Sequence, residues 1–164
     1  MPNELQKVDH SALRENQAFI IFFLVLGFLL NAPWLSALVA LVMLLGTAFK
    51  IPGFSPIYKS ILKPLGLVRP DVLNDNPEPH RFAQGFGGVV LLIATLGFVL
   101  GSAVIGWALT WLVIALAALN LFAGFCTGCA VYYWLHRLNA PGFVKAPPPG
   151  TFPGMRPRSE HHVS

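Results

Sequence analysis

The sequence predicts an all-α fold, an integral membrane bundle of four transmembrane helices in two hairpins. Of the 164 residues, 55% are hydrophobic and 11% are charged, whereas soluble domains average about 45–50% apolar and about 25% charged residues. Short polar or proline-containing stretches divide the apolar sequence into segments of membrane-spanning length. The 11 Lys and Arg residues all lie where four crossings would place them on one side of the membrane.

The first predicted hairpin consists of helices over residues 12–31 and 33–49. The first helix is long enough to cross a hydrocarbon core of about 30 Å. Its leader is polar and mixed in charge, unlike the short basic start of a secretory signal, so we expect the helix to be retained. Asp9 or Ser11 is expected to cap this helix. Pro33 indicates the turn between the helices and suits the first position of the second.

The central loop is predicted to be basic. In residues 50–70, four basic residues alternate with four prolines. Residues 57–67 keep a partly apolar, partly basic pattern, which predicts a short interfacial helix in this loop. An irregular loop without a helix is the alternative, because proline disfavours the interior of a helix.

The second predicted hairpin begins with a helix over residues 77–100, capped at Asn76. The last apolar segment, residues 103–138, would be about 54 Å long as one straight helix, against a hydrocarbon core of about 30 Å. It must therefore tilt, break or emerge from the bilayer. Gly124 and Gly128 make a break plausible at that point.

The domain organisation follows from this pattern. We expect a cytoplasmic N-terminus over residues 1–11, a four-helix transmembrane domain over residues 12–138, and a disordered, proline-rich cytoplasmic tail over residues 139–164. The positive-inside rule places both termini in the cytoplasm. The basic residues flank apolar runs, so the expected partner is the lipid bilayer and not nucleic acid.

Cys126 and Cys129 are the only cysteines in the chain. Two cysteines are too few for a secreted disulfide framework. Their spacing allows reversible disulfide formation in a suitable geometry, so they are the predicted catalytic pair. A helix that begins after Gly124 would favour the thiolate of Cys126, whereas an unbroken helix would place both cysteines toward its negative end. The alternative is that both are small apolar residues in a tight helix contact.

The predicted topology places further polar residues on the same side of the membrane as the cysteines. Polar side chains at membrane depth tend to face a bundle interior or a cavity. The residues predicted to bind substrate or tune the thiols are His10, Arg14, Asn16, Gln17, His80, Arg81 and Gln84. The arginines can hold an anion such as thiosulfate or sulfite, or anchor to lipid headgroups. The alternative for the histidines is an interfacial or capping role. The amides, together with Asn120, can form interhelical hydrogen bonds.

No metal and no cofactor are predicted. A single Cys-x-x-Cys pair is weak evidence for zinc, although His10, His80 or His136 could supply the two missing ligands. No histidine lies within an apolar span, so haem ligation has little support.

Three separated motifs resemble an uncharacterised bacterial membrane family, the domain-of-unknown-function family 4395. The resemblance covers about residues 8–138, and its motifs lie in residues 9–17, 80–84 and 124–129. It implies a bacterial inner-membrane protein and supplies no established activity. Some members resemble partners of thioredoxin-like or sulfurtransferase proteins, which makes such a cytoplasmic protein the expected partner.

Two functions follow from these observations. In the first, the cysteines carry out thiol–disulfide exchange or sulfur relay with the cytoplasmic partner. In the second, the chain is a structural or accessory subunit of a larger membrane complex, and the cysteines only pack.

Overall fold

The computed structural model describes residues 5–54, Ser60 and residues 71–157. The described part is mainly α-helical, which confirms the predicted all-α class. Its elements are β1 (Gln6–Asp9), α1 (His10–Leu29), α2 (Trp34–Ala48), β2 (Val72–Asp75), α3 (Pro77–Val99), α4 (Ala103–Ala123) and α5 (Thr127–Arg137). The two short strands were not predicted. Apart from Ser60, the predicted interfacial helix lies outside the described residues.

Three of the described helices, α1, α3 and α4, are long and apolar enough to cross a membrane. Large apolar side chains on the outside of the molecule, such as Leu92, Val104 and Phe122, are exposed. An apolar surface of this extent is typical of contact with lipid or with another protein. Helix α2 is also apolar but has 15 residues, or a length of about 22 Å.

The core is formed by side chains from α1 to α4 and from the residues that follow α2. Ile20 and Leu24 are four residues apart and therefore lie on one face of α1. Both are almost completely buried. The buried cluster consists of Ile20, Leu24, Val39, Ala40, Met43, Phe54, Leu91, Val113, Ile114 and Ala117. Helix α2 packs mainly against α3, and α1 packs mainly against α4.

The α1–α2 and α3–α4 turns lie at the same end of the molecule. The indole of Trp107, in the first part of α4, contacts Phe28 at the end of α1, with ring centroids 5.2 Å apart. It also contacts Phe98 at the end of α3, at 4.8 Å. The turn after α3 uses Gly101 at a φ of 81°, which glycine adopts without a steric penalty. The starts of α1 and α3 therefore meet at the opposite end.

A two-stranded antiparallel sheet joins the segments that lead into α1 and α3. Gln6 pairs with Asp75, and Asp9 pairs with Val72. Asp9 also caps α1, because its Oδ1 accepts a hydrogen bond of 3.0 Å from the backbone N–H of Ser11. Of the two predicted caps, Asp9 is the one observed.

The last apolar segment is broken into two helices. A break was one of the three predicted alternatives, beside a tilt and emergence from the bilayer. Helix α4 ends at Ala123, and Gly124 adopts the left-handed conformation at a φ of 64°. Cys126 is the N-cap of the next helix, α5. Beyond α5, part of the predicted disordered tail packs against the helices: the ring of Phe143 lies 5.0 Å from that of Tyr132 and 5.4 Å from that of Phe82. The three predicted domain boundaries stay predictions.

Candidate functional site

The break after α4 places the cysteine pair at the N-terminus of α5. Cys126 and Cys129 form a disulfide, with their Cα atoms 5.2 Å apart. The backbone N–H of Cys129 donates a hydrogen bond of 3.2 Å to Sγ of Cys126. Cys126 is 5% exposed and Cys129 is 3% exposed. The sulfur of Cys126 therefore lies where free N–H groups of a helix start favour negative charge.

Helix α5 approaches α3 closely because of Gly128. A Cβ atom at this position would lie 2.5 Å from Cβ of Ala83 and 2.7 Å from its Cα. Ordinary carbon–carbon contacts are about 3.5–4.0 Å, so only glycine fits this contact without a shift of the helices. The close approach brings Cys129 next to His80, which lies one turn before Ala83 on α3.

His80 connects the disulfide to a buried carboxylate. Its Nδ1 lies 3.4 Å from Sγ of Cys129, and its Nε2 lies 2.9 Å from Oδ2 of Asp75. On the other side of Asp75, Nε2 of His10 is 3.1 Å from the same oxygen. The side chain of Asp75 is 5% exposed. A continuous row of polar groups thus runs from Cys129 through His80 and Asp75 to His10.

The Asp75 carboxyl is held in its charged form. Burial alone would raise its pKa, but hydrogen bonds with His10 and His80, the charge of His80 and the backbone N–H of Asn76 together hold the pKa well below its usual value. A carboxylate accepts hydrogen bonds and cannot donate them. A neutral His80 must therefore carry its proton on Nε2, which leaves the lone pair of Nδ1 facing Cys129.

Asn76 connects the Asp75 carboxylate to Tyr133 of α5 by hydrogen bonds. The N–H of Asn76 donates to Oδ1 of Asp75 at 2.7 Å. The side-chain amide of Asn76 donates to the carbonyl of Ala146 at 2.8 Å and to the hydroxyl of Tyr133 at 3.4 Å. Burial is the main reason that the pKa of Tyr133 is raised to about 12, and the charge of Asp75 adds to it. The phenol is therefore neutral at ordinary pH.

A cavity of about 290 Å³ opens beside the disulfide. Arg14 and Gln17 of α1 line it, together with Arg156 from the residues after α5. The backbone N–H of Arg156 donates to the carbonyl of Gly124 at 3.0 Å, and the carbonyl of Gly154 accepts from the N–H of Cys126 at 2.7 Å. The guanidinium of Arg156 forms an ion pair with Asp71. The end of the described chain therefore forms one wall of the site.

A family model described as a domain of unknown function, DUF4395, matches residues 8–137. The chain belongs to this family. No curated protein and no solved structure matches it. The three motifs noted in the sequence all lie within the matched DUF4395 residues, whereas Arg156 lies beyond them.

Six of the nine predicted site residues in this DUF4395 chain line one cavity: His10, Arg14, Gln17, His80, Cys126 and Cys129. The structure thus brings together residues from α1, α3 and the start of α5, as the topology predicted. Their roles in chemistry stay predictions.

The other three predicted residues do not line this cavity. Oδ1 of Asn16 accepts a hydrogen bond from the N–H of Phe54 at 3.0 Å. Nε2 of Gln84 donates to the carbonyl of Met43 at 2.9 Å. These bonds connect α1 to the residues that follow α2, and α3 to α2. Both fit the alternative role in interhelical hydrogen bonding. Arg81 has a buried Nε without a hydrogen-bond partner among the described residues.

Asp75 and Arg156 are the charged cavity residues that sequence reasoning missed. Asp75 lies in an acidic stretch just before the predicted cap of α3, and its distance of five residues from His80 was the available signal. Arg156 comes from a proline-rich segment with no pattern that points to α5.

Among the residues that the structure describes, two overlapping groups have the donor atoms of a metal site. They are His80 with Cys126 and Cys129, and His10 with Asp75 and His80, and within each group the possible ligand atoms lie within 4.8 Å of one another. The first group offers sulfur and nitrogen, and the second offers nitrogen and oxygen.

Proposed function

We propose that this chain is an integral protein of the bacterial inner membrane that carries out thiol–disulfide exchange at its cytoplasmic face. In this proposal α1 to α4 cross the bilayer as two hairpins, with α2 as the shortest span. The 11 Lys and Arg residues support the orientation, because residues 16–49 and 82–136 contain none of them. The positive-inside rule then places the cysteine site and both termini on the cytoplasmic side.

The observation that carries the proposal is the contact between the disulfide and a histidine held by a carboxylate. His80 lies 3.4 Å from Sγ of Cys129 and 2.9 Å from Asp75. A purely packed pair of cysteines needs no such neighbour. A histidine in this position can give a proton to a leaving thiolate and take it back, which typically contributes about 10²–10⁴-fold to a rate.

The exchange step follows from the positions of the two sulfurs. A thiolate of the reducing partner attacks Sγ of Cys126, the Cys126–Cys129 bond breaks, and the leaving sulfur of Cys129 takes the Nδ1 proton of a His80 imidazolium. The Nε2–H of the ring stays hydrogen-bonded to Asp75, so the product is the neutral histidine described above. The partner's second thiolate then attacks the partner sulfur of the mixed disulfide and releases Cys126 as a thiolate at the start of α5. The cysteine pair gains two electrons and one proton, which Cys129 carries; Cys126 stays a thiolate, and the partner becomes a disulfide.

A thioredoxin-like protein is the partner class that fits this reaction, because it supplies a dithiol. A sulfurtransferase would use the reduced pair differently. The Cys126 thiolate would attack the terminal sulfur of a persulfide on the sulfurtransferase. This step would form a persulfide on Cys126 and release the thiolate of the sulfurtransferase. Both partners need the same reactive Cys126.

Two quantities test the proposal: the native redox state of the cysteine pair, and the rate at which an added dithiol reduces it. Cys126 and Cys129 are trapped with a maleimide in intact cells and in inverted vesicles, and the products are read by mass spectrometry. We expect reduction by an added dithiol to slow by about 10²-fold or more in His80→Ala. His136→Ala is the matched control, because its Nδ1 contacts the carbonyl of Phe143 at 2.8 Å and it lies outside the cavity. Equal rates in both variants and the wild type would refute the proposal.

A structural role is the second candidate function, and one observation favours it: both cysteines are buried. In that case the disulfide holds the α4–α5 turn, and the exposed apolar faces dock onto a larger membrane complex. A disulfide that never changes its redox state in cells, combined with loss of assembly in the double Cys126→Ser and Cys129→Ser variant, is the result expected for this role.

A further inference from the structure

We infer that the reduced protein binds a thiophilic metal ion, Zn²⁺ or a similar ion, through Sγ of Cys126, Sγ of Cys129 and Nδ1 of His80. This inference goes beyond the proposed exchange reaction and requires only that the two thiols can be reduced. Sequence spacing alone gave two ligands and no definite third. The structure supplies the third, since these donor atoms lie within 4.8 Å of one another.

The distance between His80 and Cys129 fits a tetrahedral ion. Zinc binds sulfur at about 2.3 Å and histidine nitrogen at about 2.0–2.1 Å. At a tetrahedral angle these bond lengths separate the two ligand atoms by about 3.6 Å. The observed distance from Nδ1 of His80 to Sγ of Cys129 is 3.4 Å. The histidine therefore needs almost no movement to become a ligand.

The proton on His80 is already on the correct nitrogen. The ion needs the lone pair of Nδ1, so the proton must lie on Nε2. Asp75 accepts a hydrogen bond from Nε2 at 2.9 Å, and the carboxylate is itself held by the N–H of Asn76. A carboxylate behind a metal-binding histidine is the arrangement that fixes the ring and strengthens its donor atom in known zinc sites.

The second donor group, His10 with Asp75 and His80, is less suited to such an ion. Its Asp75 oxygen already lies against Nε2 of both histidines, and it contributes no thiolate. The two thiolates of the first group balance the charge of a divalent cation and prefer thiophilic ions. The fourth position is left to water or to an anion from the cavity, where Arg14 and Arg156 lie.

Metal binding and the disulfide exclude each other. Two thiolates on one zinc ion are about 3.8 Å apart at a tetrahedral angle, whereas bonded sulfurs are about 2.05 Å apart. The ion must leave before the pair can be oxidised, and oxidation prevents its return. The redox state of the pair therefore decides whether this membrane face holds the metal.

The experiment measures Zn²⁺ binding by the full-length protein in detergent, by competition with a chromophoric chelator. We expect one ion per reduced chain, none for the disulfide form, and weaker binding by about 100-fold or more in His80→Ala. Asp75→Asn should weaken binding by about 10–100-fold. His136→Ala is the matched control and should bind as the wild type does.

Cobalt binding gives a second readout that does not depend on affinity. Co²⁺ in the reduced protein should show thiolate charge-transfer bands and the visible spectrum of a tetrahedral site, and Cys129→Ser should reduce the charge-transfer intensity by about half, in proportion to the thiolates lost. Binding that is equal in the wild type, His80→Ala and the double cysteine variant would overturn the inference. Metal binding is measured without any exchange partner, so its failure is distinguishable from failure of the exchange reaction.

Discussion

Gly128→Ala is the substitution that tests most directly whether the contact between α3 and α5 creates the site. The new Cβ would lie 2.5 Å from Cβ of Ala83. Because ordinary contacts are about 3.5–4.0 Å, α5 must move away from α3 by about 1 Å. The distance from His80 to Sγ of Cys129, now 3.4 Å, then exceeds 4 Å by this estimate, and the contact is lost.

The expected effect is on rate and much less on stability. A misplacement of about 1 Å can cost about 10²-fold in rate, so we expect reduction of the disulfide by a dithiol to slow by that factor. Overpacking destabilises by about 1–3 kcal/mol, whereas replacing glycine by alanine within a helix stabilises by about 1 kcal/mol. The net cost is about 0–2 kcal/mol, which is small against a typical free energy of unfolding of about 5–15 kcal/mol, so the variant should still fold.

The assay follows disulfide reduction in detergent-purified protein by timed maleimide trapping, with thermal unfolding measured in parallel. Gly87→Ala is the matched control, since its added Cβ meets only the terminal methyl of Met43, at 2.8 Å, and a methionine side chain can adjust. A Gly128→Ala protein that folds normally and reacts within about twofold of the wild type would show that the α3–α5 contact does not set the chemistry.

Three further results are expected. The pKa of Asp75 is lowered on folding, so its stabilising contribution is complete above about pH 5, where the unfolded carboxyl with its pKa of about 3.9 is also ionised, and falls progressively from there toward the lower folded pKa. Thermal unfolding of the wild type should show a loss of stability from about pH 5 to pH 3, and Asp75→Asn should show a smaller loss. The double Cys126→Ser and Cys129→Ser variant should assemble in the membrane and lose all exchange activity, as measured by gel filtration and by trapping of mixed disulfides. Removal of residues 151–164 should speed maleimide labelling of reduced Cys126, because it removes the Gly154 carbonyl that now accepts from its N–H; unchanged labelling would show that this segment does not cover the thiol.

The helices were predictable because their signals are local. The lengths of the apolar segments and the residues typical of helix ends placed α1 to α3 within about two residues of their observed ends, and also placed the start of α4. The end of α4 was left open, because a break at Gly124 and Gly128 was one of three alternatives for the last segment. The length of the last apolar segment was itself informative, since one straight helix could not fit within a bilayer of about 30 Å.

The partners within the site were only partly predictable, because they depend on contacts between distant segments. His10, His80 and the cysteines were identified as converging groups, but the carboxylate between the histidines was not. Its position depends on the pairing of β1 with β2, and strands of four residues have little periodicity to detect. The wall formed by Arg156 follows from packing of the tail against α5, for which the composition gives no signal.

The residues that line the cavity come from almost the whole length of the described chain, from His10 to Arg156. During synthesis the earlier segments emerge first, so both histidines and Asp75 are made before the thiols and can already be paired when α5 forms. The Gly154 carbonyl that accepts from the N–H of Cys126 arrives last. A nascent chain that has not yet reached Gly154 therefore exposes its cysteines without the wall that later covers them.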